Sequence, residues 1–267
     1  MGVLTRARAG TAEREAWPVA ARVAAGLLCP GGTHLLERAV EGAGIDEGSR
    51  VVELQAGLGL AGRHLVARGV RAWTGVEDDP LAVEHLRRAV GGAGARVVAA
   101  RPSASGLDDA CAGAVLVDGA VAERTDEEAA ALLAEAVRLL RPAGRLALTA
   151  LVPGAGAEDP AGRAALAALA AQRVRVRDLA ALREMVEAAG LVVVGSTDAP
   201  LHVEPPLDLA RMVGPRLGMR FAREAADETV RRAATSTRQA IEAASPHLRA
   251  GLVVAERPLV LGLRRPR

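Results

Sequence analysis

The sequence predicts an α/β fold: a doubly wound, mainly parallel seven-stranded sheet with an antiparallel last strand, plus a helical lid. Three observations predict it. Residues 49–79 read as a complete β-α-β unit, SRVVELQAGLGLAGRHLVARGVRAWTGVEDD. Apolar strands and amphipathic helices then alternate along the chain. Finally, two Ala-rich helical insertions interrupt the alternation after the fifth and sixth strands.

The elements follow in order. Residues 1 to 48 are Ala- and Arg-rich and helical in pattern, broken at Cys29-Pro30-Gly31-Gly32, after which Thr33 can cap a helix. The first strand covers about 50–55. A helix over 59–68 follows, closed by Gly69, and a second strand covers 71–77. Asp79-Pro80 supplies an N-cap and a first-turn proline for the next helix. Strand three is Ala95 to Ala100, and strand four is Ala114 to Asp118. Thr125 with Glu128 forms a capping box, and Arg145 to Leu151 is strand five. An insertion over Val152 to Val174 carries a small-residue helix near 160–171. A second, from about His202 to Leu248, has an apolar set of Leu207, Leu209, Met212, Val213, Leu217 and Met219, which also reads as ordinary core packing. The chain returns through Leu252-Val253-Val254 and Leu259-Val260-Leu261 as the last strand.

The glycine loop admits two readings. Gly57-Leu58-Gly59-Leu60-Ala61-Gly62, with an acid twenty residues on at Glu77, matches the dinucleotide fingerprint literally. In a dinucleotide fold, however, the strand positions four and two before the first glycine are apolar. Here they are Glu53 and Gln55. A buried carboxylate is costly without a partner, so an acid at residue 53 calls for a cationic ligand group or ordered donors.

Val51-Val52-Glu53-Leu54-Gln55-Ala56-Gly57-Leu58-Gly59 resembles the first motif of the class I S-adenosylmethionine (SAM)-dependent methyltransferases, a Rossmann-like family. Further segments resemble that family in order. Glu135, Arg138 and Leu140-Arg141-Pro142-Ala143-Gly144-Arg145 match its helix, turn and fifth strand. Arg177-Asp178-Leu179, then Met185 to Val194, are similar to its last helix and sixth strand, and Cys29-Pro30-Gly31-Gly32-Thr33 resembles the entry segment of its ubiquinone- and sterol-type branch. The resemblance covers most of residues 28 to 200. It implies an N-terminal helical cap (1–48), a SAM-binding core (49–200), a helical lid (201–250), and a final strand with a basic tail (251–267).

It also implies a site. Glu53 would neutralise the methionine ammonium, while Ala56, Gly57 and Gly59 would admit the cofactor at the turn. Glu77 would take the ribose hydroxyls, Asp78 would border the adenine, and Asp118 would lie near the methionine end. Three positions depart from the family pattern. Gln55 replaces a glycine and can crowd the methionine moiety; Arg101 stands where an acid commonly accepts the adenine amino group; Gly113 replaces the acid before strand four. Methyl transfer needs alignment and water exclusion more than a fixed triad, and none is visible. Of the five histidines, His34 and His202 fall nearest the expected cleft and are the candidates for acid-base work. His64 and His85 are expected on outer helix faces, and His247 in the lid.

Composition narrows the classes. All 34 basic residues are Arg, which excludes Schiff-base chemistry and a lysine phosphate clamp. Net charge is +2, the aromatic set is Trp17, Trp73 and Phe221, and the one basic cluster is Arg264, Arg265 and Arg267. That combination disfavours a nucleic-acid partner. Cys29 and Cys111 lack metal spacing. With neither a secretory signal nor a membrane span apparent, a soluble cytoplasmic protein is expected; homodimerisation is permitted but not required. Three functions compete: methyl transfer from SAM to a small, rather apolar metabolite; a non-catalytic binding protein of the same fold; and an NAD- or FAD-dependent oxidoreductase.

Overall fold

The computed structural model describes residues 30–91, 94–203 and 226–259, with scattered positions between 208 and 223. Cys29, Trp17, Phe221, most of the apolar lid set and the basic tail lie outside the described residues, as does most of the expected cap. The sheet has seven strands in the order β3-β2-β1-β4-β5-β7-β6. They are β1 (Arg50–Leu54), β2 (Ala72–Glu77), β3 (Ala95–Ala99), β4 (Ala112–Asp118), β5 (Leu140–Pro153), β6 (Val192–Pro200) and β7 (Leu248–Glu256). Pairs among β1 to β5 are parallel, and β7 runs antiparallel to both β5 and β6. The order reverses at β1, which opens a switch-point crevice between the carboxyl ends of β1 and β4.

Helices α1 (Gly32–Gly42), α2 (Leu60–Ala67) and α3 (Pro80–Ala89) cover one face. Helices α4 (Asp126–Leu139) and α6 (Leu179–Ala188) cover the other. Local signals set these helices. Asp79 accepts from the Leu81 and Ala82 amides, Asp178 accepts from Ala181, and Thr125 and Glu128 cap each other reciprocally. Thr33, expected as a cap, instead lies inside the first turn of α1; its N-cap is Gly31, with no side-chain bond.

A third apolar cluster stands at the carboxyl end of the sheet. It joins α5 (Pro160–Ala171) and α7 (Glu228–Ala244) through Leu169, Val174, Ala240, Ile241 and Ala244 to Leu151, Leu248 and Ala122. Of these helices, α7 falls in the segment expected as a lid and α5 in the insertion after strand five. The last strand differs from expectation at both ends. It begins at Leu248 and stops at Glu256, where the Arg257 amide turns to the Gly144 carbonyl. Leu259 is 64% exposed, and Val260 and Leu261 fall outside the described residues.

Side-chain alternation decides what reaches the crevice. Val52 and Leu54 enter the core beneath α4, so Glu53 points to the α1–α3 face; Leu116 and Trp73 do the same from β4 and β2. Two glycines make room for the Trp73 ring on that face. A Cβ on Gly62 of α2 would stand 2.5 Å from the indole, and one on Gly75 would stand 2.4 Å from it. The third glycine of the fingerprint thus seats an indole between helix and sheet. Gly62→Ala is expected to destabilise the protein by about 1–3 kcal/mol through overpacking. Chemical denaturation checks this; an unchanged midpoint would mean that the ring has room to move.

Candidate active site at the switch point

Glu53 is 3% exposed, at the carboxyl end of β1. Its Oε2 accepts from Trp73 Nε1 at 2.9 Å, and the Gly62 amide in the first turn of α2 also donates to the carboxylate. These donors do not compensate for its surroundings. Burial first, then the negative charges of Asp118 and Glu77, push Glu53 up to about 8. Three acids from the ends of β1, β2 and β4 therefore converge on one face of the sheet. Its surroundings thus favour the protonated form of Glu53.

Glu77 is fully buried, and its carboxylate serves the backbone. Oε2 accepts from the Gly57 amide at 2.8 Å, and Oε1 accepts from the amides of Asp78 and Asp79 at 3.1 Å. It ties the glycine turn to the end of β2. Asp118 accepts from the Thr149 hydroxyl, whose oxygen in turn accepts from the Gly119 amide at 3.0 Å. That pair fixes the exit from β4.

The glycine turn is left-handed at Gly57 (φ 54°) and Gly59 (φ 72°). A Cβ on Gly57 would meet nothing within 4 Å, so the turn is open above that residue, whereas one on Gly59 would strike Leu86 of α3 and Val90 just after it. Ala56 is buried, its amide bonded to the Val76 carbonyl. Gln55 also takes a left-handed conformation, φ 61°, which costs a side-chain-bearing residue about 1 kcal/mol or more. The conformation explains why a glycine is usual there. The Gln55 side chain is buried across the crevice: Arg124 donates to its Oε1, and its Nε2 donates to Glu123 Oε2 at 3.4 Å. Glu123 and Arg124 follow β4, in and just after a 3₁₀ turn (Ala120–Glu123).

The remaining candidates sit around the rim. Asp78 is exposed beside a cleft of about 500 Å³ that Pro80, Val83, Glu84 and Ala99 also line. Arg101 is exposed on the turn after β3, which the Ala104 amide closes onto the Arg101 carbonyl. His34 is exposed on α1. His202 is exposed too, but its amide donates to the Pro30 carbonyl at 2.7 Å and its ring abuts Gly32; Pro30 in turn lies against Gly119. His202 is therefore at the mouth of the crevice, next to the end of β4. His64 and His85 are not on outer faces. Both are half-buried with Nε2 buried and without a hydrogen-bond partner; burial, then Arg63 and Arg88, lower the His85 pKa. Among the described residues there is no cluster of three or more potential metal ligands, and no helix is long and apolar enough to cross a membrane.

Sequence reasoning missed two participants. Trp73 stands out as a lone aromatic in a strand, but its partner Glu53 is 20 positions away. Arg124 carried no signal of its own. Arg177 is a third addition: it donates to the Val121 and Arg124 carbonyls and to Asp126, while its own amide donates to the Leu151 carbonyl. The turn bearing Arg124 is thereby fastened to the base of the lid.

The strand order, the antiparallel β7 and the crevice at β1 and β4 define the fold of the class I methyltransferases. Among solved structures the chain is similar to the cyclopropane synthase MmaA2 from Mycobacterium tuberculosis, with TM-score 0.63, 14% identity, and coverage of 86% of this chain and 89% of that one. The mycolic acid cyclopropane synthase CmaA1, complexed with S-adenosylhomocysteine (SAH) and CTAB, matches with TM-score 0.63, 15% identity and the same coverage, 86% and 89%. The [4+2]-cyclase SpnF matches with TM-score 0.62, 17% identity, and coverage of 85% and 80%. No protein-family model matches the sequence, and no curated protein matches it.

Two outcomes follow from the buried acids. Glu77→Ala leaves three backbone donors without their carboxylate, and a loss of about 2 kcal/mol or more is expected on urea unfolding. For Glu53, the folded pKa of about 8 lies above that of an unfolded carboxyl. Its stabilising contribution is complete below about pH 4.5 and declines as pH rises towards 8. The stability of the parent protein relative to Glu53→Gln should fall by up to a few kcal/mol across that window; a pH-independent difference would place the carboxyl in water.

Proposed function

We propose that the crevice binds S-adenosylmethionine and that the protein transfers its methyl group to a small, rather apolar molecule. The observation that carries this reading is the convergence of Glu53, Asp118 and Glu77 on one face; burial first, then the two neighbouring acids, raise Glu53 to about 8. Such a site is complementary to a cation. A pyrophosphate would add negative charge to three acids, which argues against NAD or FAD despite the literal fingerprint. A SAM ammonium and sulfonium would supply the positive charge, and the structure of CmaA1, a similar fold, holds SAH.

The residues present fit such a nucleoside. Glu53 and Asp118 would hold the ammonium. Open space above Gly57 admits the chain of the ligand, and Glu77 keeps that turn in shape. Asp78 borders the adenosine at the cleft beside α3. When bound, the sulfonium supplies a methyl group already activated for in-line displacement. The protein's part is then to orient the acceptor, exclude water beneath the lid and, for an acceptor that must lose a proton, remove it. His202, at the crevice mouth, is the group we place there; His34, exposed on α1, is the second candidate.

One observation favours the rival reading of a fold retained for binding alone: Gln55 fills part of the crevice. SpnF, a cyclase, illustrates that this fold is not confined to methyl transfer. Calorimetric titration with SAM, SAH and NADH separates the readings. Binding of SAM or SAH supports the first, silence to all three supports the second, and NADH binding alone supports an oxidoreductase. The first reading also predicts proton release. A cation beside protonated Glu53 favours its ionised form, so SAM binding at pH 7 should release close to one proton and tighten as pH rises towards 8. The heat measured in buffers of different ionisation enthalpy reads this directly. Identical heats in all buffers would remove Glu53 from the ammonium.

A further inference from the structure

Resting on the nucleoside reading above, we infer that Arg124 is the receptor for the ligand's α-carboxylate and that the Gln55 carboxamide holds its place until the ligand arrives. The amino-acid end of S-adenosylmethionine is a zwitterion, and an acidic cluster alone answers only half of it. Arg124 is the cation on the other side of the same crevice. Its guanidinium donates to Gln55 Oε1 and to the Ala120 carbonyl, so it is held at the end of β4 rather than free in solvent. A primary carboxamide offers an sp² oxygen in a planar group, as a carboxylate does, but without charge. Gln55 Oε1 therefore presents to Arg124 what a ligand carboxylate would present, and the charged acceptor is the stronger one. The Gln55 Nε2 completes the arrangement by donating to Glu123.

The backbone supports the same assignment. Residue 55 sits at φ 61°, between β1 and the glycine turn, a conformation that glycine adopts without strain and glutamine does not. The side chain that this position carries spans from β1 to residues 68 and 69 places further on. A residue whose only use was to turn the chain would not need such reach. The loop that carries Arg124 is also anchored, since Arg177 donates to the Arg124 carbonyl. The guanidinium thus faces the crevice from a fixed base, with Gln55 as the element that yields.

The test uses three ligands on the full chain: S-adenosylmethionine, its decarboxylated form, and 5′-methylthioadenosine. Isothermal titration is run on the parent protein, Arg124→Gln, Arg124→Lys and Gln55→Gly, with thermal melting of each to confirm folding. The parent should prefer SAM over the decarboxylated form by roughly 10–100-fold, the range for a hydrogen bond to a charged group. In Arg124→Gln that preference should collapse to within about threefold, Arg124→Lys should restore part of it, and 5′-methylthioadenosine should bind all variants alike. Gln55→Gly should bind SAM more tightly than the parent, because no self-contact must be displaced. Undiminished discrimination in Arg124→Gln, or weaker SAM binding in Gln55→Gly, overturns the inference while leaving the nucleoside site intact. Failure of the parent to bind any of the three ligands overturns the nucleoside reading itself, and this inference with it.

Discussion

The structure turns on a carboxyl group buried under an indole. Glu53 lies inside the face that α1, α2 and α3 cover, bonded to Trp73 Nε1 and to the first turn of α2. Everything that makes this tolerable is nearby in space and conspicuous in composition. Two glycines, Gly62 and Gly75, leave the volume that the indole occupies. The helix terminus contributes an amide that has no partner within its own helix. Even so its pKa is raised, by burial first and then by the two further carboxylates that share its face. A protein does not gain stability from such an arrangement, and its natural complement is a cation that arrives from outside.

Much of this was legible in the sequence, because it is local. The strand-glycine-helix-strand unit, the Asp79 cap and the Thr125–Glu128 capping box depend on residues within a few positions of one another, and each formed as expected. The alternation of β1 likewise placed Glu53 opposite the core of Val52 and Leu54. The illegible parts are contacts between distant residues. Trp73 meets Glu53 across 20 positions and Arg124 meets Gln55 across 69, and no spacing rule links them. The outward placement expected of His64 and His85 failed for a related reason: a helical wheel says which side faces the sheet, but not that a neighbouring helix covers the flank.

The acids of the molecule divide sharply by partner. Glu135, on α4, is as deeply placed as a core residue at 7% exposure, yet Arg138 and then Ser105 hold it down to about 2. It accepts from the Ser105 amide at 2.9 Å and from Arg138 at 2.8 Å, while Arg138 reaches on to the Leu107 carbonyl. This network pins the loop after β3 to α4. Glu53 has no guanidinium and rises; Glu135 has one and falls. Burial without a cationic partner raises one acid, and a guanidinium partner lowers the other.

Arg177 gives the fold a property that neither site has alone. It is tied at once to the carbonyls behind Arg124 and, through its own amide, to Leu151 under the lid helices. One residue therefore fastens the short segment that borders the crevice both to β5 and to the first turn of α4.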